Sequence, residues 1–167
     1  ERELVEIERL IDRRCQFWPL VETVESCELV RLGLLSRYGI DRVHIGLNDL
    51  RLQLGYNFMF APFLDSRVMG AITQLKSSGV VMGIGGVSKL GAGLLPGEDV
   101  LLLHKCLGST AVILSQDFRA NVSAIELGWE VSRLRQFWTK LFGGDRSDLK
   151  SFQDILSSIQ MIEKSAV

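Results

Sequence analysis

The sequence predicts an α/β fold of the (β/α)8 TIM-barrel type, with this chain covering about the last four β/α units and additional C-terminal helices. Three observations predict it. Short runs rich in Val, Ile and Leu alternate with segments whose apolar residues recur every three or four positions, the pattern of buried parallel strands separated by helices. Four such alternations occur, which is half of a barrel that typically needs about 250 residues. The glycine fingerprint GxGxxG does not follow the first strand, so the competing open, doubly wound sheet lacks its switch-point signature.

Each element has its own justification. Residues 2–14 read as a helix through Leu4, Ile7, Leu10 and Ile11. Residues 16–22 read as a short buried strand, with Pro19 expected near its start or at a bulge because proline cannot donate to a ladder. Residues 24–37 read as a helix stopped by Gly39. Residues 42–46 form the second strand, and Leu47-Asn48-Asp49 its exit loop. Residues 50–61 read as irregular or a short helix, with an aromatic stretch at Tyr56, Phe58 and Phe60. Pro62 is expected to start a helix running to about Ser77, with Leu64, Val68, Ile72 and Leu75 on one face. Residues 80–84 form the third strand and lead through Gly85-Gly86 into a loop with Gly91, Gly93 and Gly97. A helix from Glu98 to Cys106 precedes the fourth strand, residues 110–115, expected to be buried on both faces. Helices over 121–141 and 148–164 close the chain, with Gly143-Gly144 as a hinge between them. Residues 1–120 therefore read as the barrel half, and 121–167 as helices available for oligomer contacts.

Composition narrows the function. The chain has 167 residues, 47% of them hydrophobic, and a net charge of −1. That excludes a disordered chain and gives no cationic excess for neutralising nucleic-acid phosphates. No apolar run approaches the roughly 20 residues of a membrane span. The mean hydropathy of +0.20 is high for a small domain and points to apolar surface covered by a partner or by further chain. Cys15, Cys27 and Cys106 are odd in number and widely spaced, which favours free thiols in a reducing cytoplasm over disulfides or zinc. The acidic, amphipathic N-terminus does not resemble a signal peptide. A start at Glu1 inside a helical pattern leads us to expect sequence upstream.

In parallel α/β folds ligands bind at the C-terminal ends of strands. The strand ends here are Glu22-Thr23, Gly46-Leu47-Asn48-Asp49, Gly85-Gly86-Val87-Ser88 and Ser115-Gln116-Asp117. Glu22 and Asp49, on adjacent strand ends, can share one hard divalent cation such as Mg2+ or Mn2+, or can simply cap their own helix and loop. Gly46, Leu47 and Asn48 can offer backbone amides to a carboxylate. Gly85-Gly86 can cradle a phosphate or simply form a tight turn. His44 lies mid-strand and His104 mid-helix, so both are expected to be packed or surface residues. Lys89 and Lys105 are isolated, and Trp129, Leu134, Phe137, Trp138 and Leu141 form a helical stripe expected in a core or an interface.

Two segments carry a family resemblance. Pro19-Leu-Val-Glu-Thr-Val-Glu25 is followed about twenty residues later by Asp41-Arg-Val-His-Ile-Gly-Leu-Asn-Asp-Leu-Arg-Leu-Gln-Leu-Gly55. Together they resemble the Glu-Thr strand end and the Ile-Gly-Pro-x-Asp-Leu-Ser segment of the HpcH/HpaI aldolase and citrate lyase family. Gly108-Ser-Thr-Ala-Val-Ile-Leu-Ser-Gln-Asp-Phe-Arg119 is similar to that family's last barrel strand. The likeness spans roughly residues 1–120 and has Leu47 where proline is usual.

The resemblance implies a barrel that makes or breaks a carbon–carbon bond beside a 2-oxo acid, through a pyruvate-type enolate held on a divalent metal. Glu22 and Asp49 match the metal ligands, and the amides around Asn48 and Asp49 match the carboxylate-binding loop. The family's catalytic His and Arg belong to the first half of the barrel, outside this chain, so no general base is assigned here. The expected function is thus a metal-dependent aldolase or lyase with a small 2-oxo acid or its aldol product as substrate. Two other readings stand beside it: a phosphate-binding barrel enzyme resting on Gly85-Gly86 and the loop after it, with the phosphate near Gly86 and Ser115, and a non-catalytic half-barrel used in assembly. Two open sheet edges lead us to expect a homo-oligomer.

Overall fold

A computed structural model of the chain describes residues 2–11, 15–120, 122–143 and 150–166. It is an α/β fold built on a four-stranded parallel sheet. The elements run α1 (Arg2–Ile11), β1 (Leu20–Val21), α2 (Val24–Arg31), α3 (Leu34–Arg37), β2 (Arg42–Ile45), α4 (Leu47–Leu54) and a 3-10 turn (Ala61–Leu64). They continue with α5 (Ser66–Ser77), β3 (Val81–Val87), α6 (Gly97–Leu107), β4 (Ala111–Leu114), α7 (Gln116–Arg119), α8 (Ala124–Phe142) and α9 (Phe152–Ser165).

Local chemistry explains where the helices start and where the expected boundaries shift. Thr23 caps α2 through a reciprocal box with Ser26, and the same device opens α8 at Ser123 with Glu126 and α9 at Ser151 with Asp154. The single helix expected over 24–37 is two, because Gly33 takes a left-handed φ of 71° between them. Pro62 sits inside the 3-10 turn rather than starting the long helix. That helix is α5, opened by the Asp65 carboxylate, which accepts from the Arg67 amide at 2.8 Å. The exit loop expected at Leu47-Asn48-Asp49 is the first turn of α4. A four-residue helix, α7, stands where none was expected. Residues 12–14 of the first expected helix, 121 of the helix expected over 121–141, 148–149 of the last, and Gly144 of the hinge lie outside the described residues.

The strands lie in sequence order, β1-β2-β3-β4. The expected strand over 16–22 narrows to Leu20–Val21. It holds its place through the His44 amide donating to Pro19 O at 3.0 Å and the Gly46 amide donating to Val21 O at 2.9 Å. Pro19 has no N–H for the ladder, and β1 is an edge strand where that loss is tolerated. Between β3 and β4 the register shifts at Gly85–Val87, and Gly86 in the shifted stretch has φ 90°.

The two faces of the sheet differ sharply. Val43, Ile45, Met82 and Ile84 point into the helical layer and are buried with Val68, Ile72, Leu75, Leu101 and Leu103 in one core. The same core takes in Leu134 and Leu141 of α8 and Ile155 and Ile159 of α9, so the C-terminal helices pack onto it. α9 also rests on the 3-10 turn and on α6, with Lys150 bonded to Asp99 at 2.5 Å. The opposite face carries Leu20, Val81 and Ile113, which are 53, 40 and 56% exposed. β4 was expected to be buried on both faces. It is not, because it lies at the second edge with this face bare. On α8, Leu134 and Leu141 are buried, Phe137 and Trp138 are half-buried, and Trp129 is exposed.

Candidate functional site

A cavity of about 500 Å³ opens at the C-terminal end of the sheet, on the bare face. Its wall brings together residues from all four strand ends: Glu22 after β1, Gly46 to Asp49 after β2, Gly85 and Gly86 in β3, and Ser115 after β4. The parallel register and the two-residue alternation of strands put these side chains on one face.

Glu22 is half-buried and Asp49 exposed. The capping roles open to them are taken by other groups or left unfilled. Thr23, not Glu22, caps α2, where its hydroxyl accepts from the Ser26 amide at 3.0 Å. Asp49 lies in the first turn of α4, whose N-cap is Gly46, and no side chain caps that terminus. Neither carboxylate has a hydrogen bond or ion pair among the described residues. Gly46 is demanded by Glu22. A Cβ at position 46 would stand 2.6 Å from the Glu22 Cβ and 3.0 Å from its Oε2, so any side chain there would displace the carboxylate.

The uncapped start of α4 faces the same cavity. The amides of Leu47, Asn48 and Asp49 are the orphan donors of a helix N-terminus, which favour a negatively charged group. Two carboxylates without partners among the described residues therefore stand beside amides that favour a negative charge. A metal–carboxylate ligand would satisfy both at once.

The glycines of β3 have a role that the sequence reading did not assign. A Cβ on Gly83 would come within 2.5 Å of His44 Nδ1, and one on Gly86 within 2.4 Å of Met59 Cε. They make room for an imidazole and for a methionine, and Gly85 and Gly86 line the cavity. His44 itself, expected to be a packed or surface residue, is buried yet lines the cavity. Its burial pulls the imidazole below the usual histidine range. The signal that could have found it is parity: His44 is two residues before Gly46, hence on the same face. The hydroxyl of Ser115 is also buried beside the cavity with no partner among the described residues. His104, by contrast, is fully buried and its Nδ1 lies 3.0 Å from the Ser109 hydroxyl.

No family model, no curated protein and no solved structure matches the chain. The site's chemistry therefore has to be read from its own residues.

Those residues suit a hard cation. Oxygen donors from one or two carboxylates, with remaining positions left to water and substrate oxygens, are what Mg2+ and Mn2+ accept. No group of three or more His, Cys, Asp and Glu side chains converges among the described residues, so protein ligands would fill only part of the coordination shell. The cysteines are free: Cys15 is exposed, Cys106 half-buried, and Cys27 buried, its thiol pushed up to about 11 by that burial. No helix among the described residues is long and apolar enough to cross a membrane.

Proposed function

We propose that the chain forms the C-terminal half of a (β/α)8-type barrel. Its cavity, on this reading, serves a divalent-metal carbon–carbon lyase or aldolase acting on a 2-oxo acid. The observation that carries this is the pair Glu22 and Asp49, two carboxylates on one cavity wall with no partner of their own, beside the uncapped N-terminus of α4. The resemblance of residues 19–25 and 41–55 to the HpcH/HpaI and citrate lyase pattern supports the same pair. Sequential strand order with helices on one face supports the barrel reading over a doubly wound sheet.

Glu22 and Asp49 would hold Mg2+ or Mn2+, which supplies Lewis acidity to the carbonyl of the 2-oxo acid and stabilises the enolate charge. The amides of Leu47, Asn48 and Asp49 orient the substrate carboxylate. Gly46 keeps the space above the strand clear, so Glu22 holds its position. Retro-aldol cleavage breaks the C3–C4 bond and sends the hydroxyl proton to a base. That base belongs, by the resemblance, to strands before those present here.

Titration of the chain with Mn2+ tests the reading. Glu22→Gln and Asp49→Asn should each weaken binding at least about tenfold, since even outer-shell partners cost that much at metal sites. Affinity unchanged in both variants would remove the metal site.

A further inference from the structure

Two hydrogen bonds bracket Glu22, and both run to the stretch of chain that carries Asp49. Before the carboxylate, Val21 O accepts from the Gly46 amide at 2.9 Å. After it, the Val24 amide donates to Gln53 Oε1 at 2.9 Å. Residues 21–24 are thereby stitched to residues 46–53, with Glu22 inside one span and Asp49 inside the other. The first link is backbone on both sides. The second depends on one side chain.

Gln53 lies on α4 one turn beyond Asp49, at the i and i+4 spacing that places two residues on the same helix face. Val24 opens α2, so its amide is one of the donors that this helix cannot satisfy by itself. The capping box takes the Thr23 and Ser26 amides, each at 3.0 Å, and leaves the Val24 amide to α4. The body of α2 packs mainly on α5. Among the described residues, Gln53 makes the one side-chain hydrogen bond between α4 and the chain around Glu22. Gln53 is itself exposed, so removing its acceptor leaves the core intact.

We propose that Gln53 is a positioning residue for Glu22 and Asp49. By holding the start of α2 to α4, it fixes the separation of two carboxylates that meet one divalent cation. This rests on the reading of that pair as metal ligands. The two acids stand on different elements and share no hydrogen bond, so the way those elements are joined sets their spacing. Spacing matters most to a small cation. Mg2+ demands near-octahedral geometry at about 2.1 Å, whereas Ca2+ accepts longer and more variable distances of about 2.3–2.6 Å. A loosened pair therefore loses its hold on Mg2+ more than on Ca2+.

Titration of the full chain with Mn2+, with Mg2+ and Ca2+ as competitors, tests this. Gln53→Met keeps the length of the side chain and removes the acceptor. It should weaken Mn2+ binding about fivefold, the order expected for one hydrogen bond, and lower the preference for Mg2+ over Ca2+. Gln53→Glu keeps an acceptor for the Val24 amide. Its added charge attracts both cations alike, so its readout is the preference, which should return to that of the unaltered chain. A glutamine that only caps α2 gives a different result: Gln53→Met lowers the denaturant midpoint and leaves Mn2+ affinity and the preference unchanged. That outcome overturns the proposal, as does a preference lost equally in Gln53→Met and Gln53→Glu. If Gln53→Met fails to fold, Gln53→Asn, one methylene too short to reach the amide, takes its place in the same comparison. Mn2+ affinity that falls in Glu22→Gln but not in the Gln53 variants removes the positioning role alone. Affinity unchanged in both Glu22→Gln and Asp49→Asn, or no Mn2+ binding by the unaltered chain, removes the metal site and the positioning role with it.

Discussion

At the scale of single residues, the clearest energetic consequence belongs to His104. The Ser109 hydroxyl donates to Ala111 O at 3.1 Å, so it must accept from His104 Nδ1–H. Nε2 is then the bare nitrogen, buried and without a partner among the described residues. A proton placed there would be a buried charge with nothing to bond. Desolvation, with His44 nearby as a smaller contributor, pulls this imidazole down to about 4. The unfolded chain binds that proton near 6.5. Stability from the neutral form is therefore complete above pH 6.5 and is lost as pH falls toward 4, by up to roughly 3 kcal/mol. Urea unfolding at pH 7.5 and 4.5 should show a lower midpoint in acid. His104→Phe should reduce the difference without abolishing it, since burial pulls His44 in the same direction. An equal acid loss in that variant would remove His104 as its source.

The same scale shows why part of the site was legible and part was not. Glu22, Gly46, Leu47, Asn48 and Asp49 lie at strand exits, and the parallel α/β pattern directs attention there; all five line one cavity. His44 lies inside a strand, where sequence position alone does not mark it as part of a site. Its access to the cavity depends on glycine at 83 and 85, a pairing across β2 and β3 that no local pattern displays. The role of the glycines is hidden in sequence for the same reason: what they make room for is distant along the chain.

At the scale of elements, strand identity survived the passage from sequence to structure better than strand length. Charge-poor β-branched runs located β2, β3 and β4, and Pro19 trimmed β1 to a two-residue edge. Helix interruptions at Gly33 and Asp65 depend on backbone conformations that apolar periodicity does not report. α9 supplies a contact that no periodicity could show. Glu163 accepts from the Asn57 amide at 2.9 Å and from the Phe58 amide at 2.7 Å, across more than a hundred residues. Glu163→Ala leaves those two donors without their carboxylate and should cost about 1–3 kcal/mol in denaturant unfolding. A loss below a few tenths of a kcal/mol would mean that water replaces the carboxylate without penalty.

At the scale of the whole molecule, one face of the parallel sheet is covered and the other is not. Parallel sheets are as a rule buried on both faces. Leu20, Val81 and Ile113 lie on the open side, and β1 and β4 leave both edges unpaired among the described residues. Closing that face needs further strands, and a second copy can bring four. We therefore expect self-association, read by sedimentation as a species of at least twice the chain mass. Ile113→Asp, on the bare face, should shift it to smaller species. A single monomeric species across micromolar concentrations would count against this, and so against the oligomer expected from the sequence.

The clasp between Glu163 and the segment at Asn57-Phe58 reaches further than stability. Met59 follows directly, and its thioether methyl fills the space above Gly86 on the cavity wall. The last turns of α9 are thus tethered to the segment that brings Met59 to the cavity wall. Loosening that clasp should alter the shape of the pocket, although no residue of α9 lines it.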